Sequence, residues 1–188
     1  MALKPGNYTI TPKTGKILVY TFKEGFLSAV AHDLLIDVTN FTVKLTVPVS
    51  GSPFVEAEVQ SNSLKVICAM KDGQHLPEAL KDKDKADIED AIVKDVLHPA
   101  KYPLILFLSK NIQAVGDVYY AKGELTLHGV TRPVEFDFRI TNGADLKGRV
   151  VLPQKDYGIK PYKALLGTLK VKNEVDVGFE LSLSQVVV

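Results

Sequence analysis

Apolar residues along this chain recur mainly at every second position, the spacing of a sheet with one buried face. Val134 followed by Phe136-Asp137-Phe138-Arg139-Ile140 alternates apolar with charged side chains, and Val175 to Leu183 does the same over a longer stretch. Val55-Glu56-Ala57-Glu58-Val59 and Leu125-Thr126-Leu127-His128 repeat the pattern, while Ile17 to Phe22 and Leu34 to Val47 add β-branched and aromatic runs. Near Asn40 the apolar parity switches from Leu34, Ile36 and Val38 to Phe41, Val43, Leu45 and Val47. A bulge or bend there keeps both halves facing one interior. Leu104 to Leu108 is apolar on both faces, which predicts a strand covered from outside.

One stretch follows the other period. From Pro77 to Leu97 the chain is rich in Lys, Asp, Glu and Ala, and Ile88, Ile92, Val93, Val96 and Leu97 share a stripe. This predicts an amphipathic helix with Glu89, Asp90, Lys94 and Asp95 on its wet face, ended by Pro99 and Pro103. Its natural place is over the Leu104 strand or over the mouth of a barrel.

Turn signals separate the strands at Pro12-Lys13-Thr14-Gly15, Ser50-Gly51-Ser52-Pro53, Val115-Gly116-Asp117 and Thr141-Asn142-Gly143. The runs count to about eight antiparallel strands, the number at which a closed barrel is filled by side chains or holds one small ligand. Closure also removes the sheet edges that would otherwise aggregate. The expected fold class is therefore all-β, a single antiparallel barrel over residues 1–188 with one amphipathic helix inserted around 77–97.

Composition narrows the partners. Of 188 residues, 46% are hydrophobic and 24% charged, the balance of a folded globular protein. The 23 basic and 22 acidic side chains are dispersed, so no nucleic-acid footprint is expected. The single cysteine, Cys68, reads as a buried inert thiol. No run reaches the length of a membrane span, so stable membrane insertion is not expected. The chain reads as cytoplasmic as it stands, or periplasmic had a leader been removed.

By parity, Tyr20, Phe22, Phe41, Phe107, Phe136, Phe138 and Phe179 point inward together with Leu125, Leu127, Val177 and Leu181. Periodicity alone leaves two outcomes open, a packed core or a dry tunnel.

The segment Lys122-Gly123-Glu124-Leu125-Thr126-Leu127-His128-Gly129-Val130-Thr131-Arg132-Pro133-Val134 resembles the signature hairpin of the YceI-like family. Ala31-His32-Asp33-Leu34, Asp95-Val96-Leu97 with Tyr102 to Ser109, and Asp156-Tyr157-Gly158-Ile159 follow in the order of that family. The resemblance implies a lipocalin-like barrel, often dimeric, whose tunnel takes a polyisoprenoid chain such as a quinone tail or a polyprenyl phosphate. It adds Tyr157 and Ile159 to the expected ligand-binding residues, with no cofactor beyond the bound lipid. The family usually carries an Arg where Gln154 or Lys155 precedes Asp156 here.

Candidate chemistry is sparse. His32, His75, His98 and His128 show no metal-ligand spacing, and no metal is expected. His32 shares parity with Leu34 and Ile36, so these three are candidates for an inward-facing barrel end where the imidazole bonds either a ligand carbonyl or neighbouring backbone. His128 precedes Gly129 and reads as a turn residue. Arg149, Lys160 and Lys163, near the Tyr157 turn, are candidates for a polar head or plain surface charges. A small hydrolase or isomerase in the same barrel would need Ser109, His128 and Asp137 brought together, without a nucleophile elbow around Ser109. The expected function is non-enzymatic binding, transport or storage of an apolar isoprenoid lipid.

Overall fold

Alternation is realised as antiparallel pairing throughout. The computed structural model describes residues 4–24, 32–164 and 169–183. The strands are β1 Gly6–Ile10, β2 Gly15–Thr21, β3 Lys23–Glu24, β4 Asp33–Val38, β5 Phe41–Val47, β6 Phe54–Gln60, β7 Leu64–Lys71 and β8 Gln74–Leu76, followed by helix α1 Asp82–Ala91. Then come β9 Leu104–Val115, β10 Val118–Leu127, β11 Val130–Thr141, β12 Asp145–Pro153, β13 Lys163–Ala164, β14 Leu169–Val171 and β15 Glu174–Ser182. Ala31 of the expected Ala31-His32-Asp33-Leu34 element lies outside the described residues.

The main sheet runs β1-β5-β6-β9-β10-β11-β12-β15-β2-β4-β7-β8, and β13, β14 and β3 form a small second sheet. The main order closes through the chain itself. Strand β4 runs into β5 across Thr39-Asn40 and β6 into β7 across Ser61 to Ser63. The two corners are pinned by Thr39 N–H donating to the Ser63 carbonyl (2.9 Å) and Gln60 N–H donating to the Asn40 carbonyl (3.1 Å). Counting β1–β2, β4–β5 and β6–β7 as continuous passes, with β9, β10, β11, β12 and β15, eight passes circle one interior. The bend expected at Asn40 is this corner: Ile36 and Val38 before it and Val43 and Leu45 after it line the same interior.

Tight turns demand left-handed backbone. His128 (φ 52°) and Gly129 (φ 75°) join β10 to β11 between the paired Leu127 and Val130. Two successive positive φ values match the twist of a two-residue hairpin. Gly129 is also required by space, since a Cβ there would lie 2.6 Å from the Tyr102 ring.

The helical stretch is a 3₁₀ turn Pro77–Ala79, then α1, then a π-helical turn Ile92–Leu97 closed by His98 N–H donating to the Val93 carbonyl (3.1 Å). It lies over the barrel interior, with Ile92, Val96 and Leu97 lining it, and leaves the outer face of β9 bare, where Leu106 is 40% exposed. Two stripe assignments need correction. The wider π turn swings Val93 off the apolar stripe onto the lid's outer side. Glu89, expected on the wet face, docks the helix instead: its carboxylate accepts Val66 N–H (2.9 Å) and the Lys65 ammonium (2.7 Å). The register of β7 against β4 shifts between Leu35 and Ile36, beside that amide. Glu89→Ala is expected to destabilise the protein by about 1.5–3 kcal/mol, because a bond to a charged acceptor is lost and a half-buried amide is orphaned. Urea unfolding of Glu89→Ala beside Glu89→Gln checks this, with Gln recovering part of the loss.

Candidate functional site: an apolar chamber beneath a helical lid

The interior is not filled. A chamber of about 290 Å³ lies between two packed clusters. One cluster, around Ile10, Phe41 and Leu45, closes the far end of the barrel. The other, around Leu97, Leu125, Leu127, Leu152 and Ile159, lies beneath the lid. Thr21 and Gln154 are the polar members of the lining. Gln154 is held in place, its Nε2 donating to the Lys172 carbonyl (2.9 Å). Without partners for water such a space stays dry, and it is roughly twice the ~150 Å³ apolar cavity known to take benzene.

An aromatic belt crosses the chamber wall. Ring centroids are 5.4 Å apart for Phe107 and Phe136, 5.7 Å for Phe136 and Phe179, and 5.1 Å for Tyr119 and Phe138, spacings at which aromatic pairs attract. Two glycines make the belt possible. A Cβ on Gly123 would lie 2.6 Å from the Phe107 ring and 2.5 Å from the Leu108 carbonyl, and one on Gly148 would lie 2.4 Å from the Phe179 ring.

Of the residues expected to contact a ligand, the structure brings Ile36, Phe107, Leu125, Leu127, Phe136, Phe138, Ile159, Val177, Phe179 and Leu181 to the chamber wall. Six lie elsewhere. On β2 the inward residues are Ile17, Val19 and Thr21, so Tyr20 faces out, packs against Leu35, Cys68 and Met70, and meets the Arg149 guanidinium at 5.2 Å. Phe22, one position past β2, sits under the Lys172 ammonium at 5.9 Å. Leu34 pairs with Thr21 and Ala69 off the lining, and half-buried His32 precedes it, also off the lining. Phe41 is 3% exposed and belongs to the packed end, while Tyr157 is 2% exposed and packs in the lid-end cluster without lining the chamber. Sequence reasoning missed Ile17 and Val19 because Ile17-Leu18-Val19-Tyr20 is apolar on both faces. It missed the lid residues Ile92, Val96 and Leu97 as lining because a helical stripe does not say what it covers.

A family model for the YceI-like domain matches residues 8–183. The chain belongs to the YceI-like family. Protein YceI of Escherichia coli O157:H7 is 34% identical over 77 residues, covering 35% of this chain and 39% of that protein. A UPF0312 protein of Pseudomonas aeruginosa strain LESB58 is 35% identical over 75 residues, again covering 35% of this chain and 39% of the relative. The chain thus spans about two fifths of the length of the curated relatives it matches. Burkholderia cenocepacia BcnA superposes with a TM-score of 0.63 at 16% identity, covering 89% of this chain and 94% of its own. A polyisoprenoid binding domain from Saccharophagus degradans gives 0.58 at 11% identity, covering 95% and 99%. These likenesses establish the lipocalin-like barrel.

Within this YceI-like barrel the hydrolase constellation is taken apart. Ser109 Oγ accepts the Val55 N–H (2.7 Å), and Ser109 sits opposite Gly123. His128, in the turn just past β10, lies about 16 Å beyond Gly123 at the ordinary rise per residue. Asp137 pairs with Tyr120 towards the opposite end. Of the head-group candidates, Arg149 is engaged by Asp176 and the Tyr20 ring, and Lys160 and Lys163 are exposed. No helix among the described residues is long and apolar enough to cross a membrane.

The lid's outer side borders an open cleft of about 540 Å³ formed by Val93, Lys94, His98, Pro99, Ala100, Lys101, Tyr102 and His128. His98 Nδ1 and His128 Nε2 lie 3.1 Å apart, and Tyr102 packs on His128 at 4.2 Å. Burial holds the His128 imidazole below its ordinary pKa, opposed by its donation to the Tyr157 carbonyl and aided by the charges of His98 and Lys101. The turn role expected for His128 therefore comes with a bonded position at the junction of lid, hairpin and Tyr157 turn.

Proposed function

We propose that this YceI-like domain carries a long apolar isoprenoid lipid, tail inside the barrel, with no covalent chemistry. The observation that supports this reading is the chamber of about 290 Å³, walled by aliphatic and aromatic side chains, in a barrel similar to a polyisoprenoid binding domain from Saccharophagus degradans. Among the described residues, the polar lining of Thr21 and Gln154 makes no constellation for acid–base or nucleophilic work. By comparison with benzene's cavity the chamber accommodates about a dozen carbons. At about 0.8 kcal/mol per buried CH₂, their transfer contributes on the order of 10 kcal/mol, enough to offset much of the cost of association. Such a wall selects shape weakly, so a tail that branches regularly and bends is accepted as readily as a straight one.

Purified protein extracted with organic solvent and analysed by mass spectrometry is expected to release a stoichiometric isoprenoid. Repeated absence of any such lipid, together with no uptake of added quinone or prenol, overturns the reading.

A further inference from the structure

We propose that the cleft over the lid, through His98, Lys101, Tyr102 and His128, holds the phosphate-type head of the isoprenoid whose tail occupies the chamber. This rests on the carrier reading above. An amphiphile needs somewhere to leave its polar end, and the chamber wall supplies almost nothing for one. The cleft is the next layer out. The π-helical turn Ile92–Leu97 presents Ile92, Val96 and Leu97 to the chamber and Val93 and Lys94 to the cleft, while chamber-lining Leu127 is followed directly by His128. One helix thickness, about 10 Å, separates tail site from head site.

The cleft is built rather than incidental. His98 (φ 50°), the left-handed cap of the π turn, and His128 (φ 52°), in the β10–β11 turn, are set by backbone conformations of a kind that also recurs at functional positions. The π turn is another such feature. The two rings are held together, His98 Nδ1 lying 3.1 Å from His128 Nε2 while Tyr102 packs on His128 at 4.2 Å.

The available charge is positive. Lys94 is paired with Asp90 at 2.6 Å and also feels Asp95. Lys101 rests over the Tyr102 ring at 5.0 Å and has no carboxylate partner among the described residues. Among the described residues no hydrogen bond or ion pair engages the Lys101 ammonium or the Tyr102 hydroxyl, and with the His98 ring beside them these donors suit a phosphate or diphosphate ester. A quinone carbonyl would use one neutral donor and gain little from this pairing.

Isothermal titration with farnesyl diphosphate, farnesol and inorganic diphosphate tests the assignment. Farnesyl diphosphate is expected to bind the unaltered protein about tenfold or more tighter than farnesol, since a charge-assisted bond is added. That ratio is expected to fall to about one in Lys101→Met/His98→Gln, and in Lys101→Met alone should the double variant misfold. Equal affinities in the unaltered protein, or a ratio that survives the substitutions, overturn the head site. Inorganic diphosphate binding as tightly as the lipid also overturns it, making the cleft a free-anion site. If neither farnesyl compound binds, the carrier reading itself fails; if farnesol binds and the diphosphate adds nothing, only the head site does.

Discussion

Gly123→Ala and Gly148→Ala are each expected to cost about 2–3 kcal/mol and lower the melting temperature by roughly 5–10 °C, although each adds one methyl group. The reason is what the methyl meets. At Gly123 it would lie 2.5 Å from the Leu108 carbonyl as well as against the Phe107 ring, and at Gly148 it would lie 2.9 Å from the Asp137 carbonyl and 2.4 Å from the Phe179 ring. A ring can tilt, but a backbone carbonyl in a paired strand cannot retreat without breaking register. Gly178 is the internal comparison. It lies on β15, and its added Cβ would meet the Tyr20 ring at an ordinary 3.4 Å. Gly178→Ala is expected to shift stability by less than about 1 kcal/mol, because the loss of unfolded-state freedom offsets a mild contact. Differential scanning calorimetry of the three variants decides the matter. Equal effects at all three glycines would mean that Phe107 and Phe179 are not seated as described.

The same two glycines show how much of the molecule could be read in its sequence. Alternation in Phe136-Asp137-Phe138 and in Val175 to Leu183 located real strands, because one wet face and one dry face leave a periodic trace. The parity switch at Asn40 located a real corner. The trace vanishes where both faces are apolar, and there parity alone does not identify the inward side. In Ile17-Leu18-Val19-Tyr20 the aromatic looked like the wall residue, yet Tyr20 packs outside on Leu35, Cys68 and Met70. A second buried layer outside a barrel leaves no signature distinct from the first. Similarly, the helical stripe can be drawn from spacing, but the π turn that rotates Val93 outward comes from hydrogen bonds shifted by one residue, among them His98 N–H to the Val93 carbonyl, which leave no trace in the spacing. Whether the interior was open could not be read at all: Phe107, Phe136 and Phe179 would occupy the same positions in a packed core. That is decided by distances between side chains many residues apart in sequence.

Val150→Phe/Val177→Phe is expected to abolish lipid retention while changing stability by less than about 1 kcal/mol. Val150 and Val177 are direct partners across β12 and β15, and both line the chamber. Both are only half-buried, although they point into the barrel. Their residual accessibility faces the chamber, so two added rings enter empty space instead of overpacking a full core. A chamber roughly twice the size of a benzene cavity is largely consumed by two phenyl groups. Excluding even about six ligand methylenes, at about 0.8 kcal/mol each, removes about 5 kcal/mol of binding, more than a thousandfold in affinity. Retention of a fluorescent prenol and the urea midpoint, measured on the same preparation, separate the alternatives. Full retention with an unchanged midpoint would place the lipid somewhere other than between these strands. A midpoint lowered as far as in Gly148→Ala would mean that the space was already occupied by side chains, because filling a true void leaves nothing to push aside.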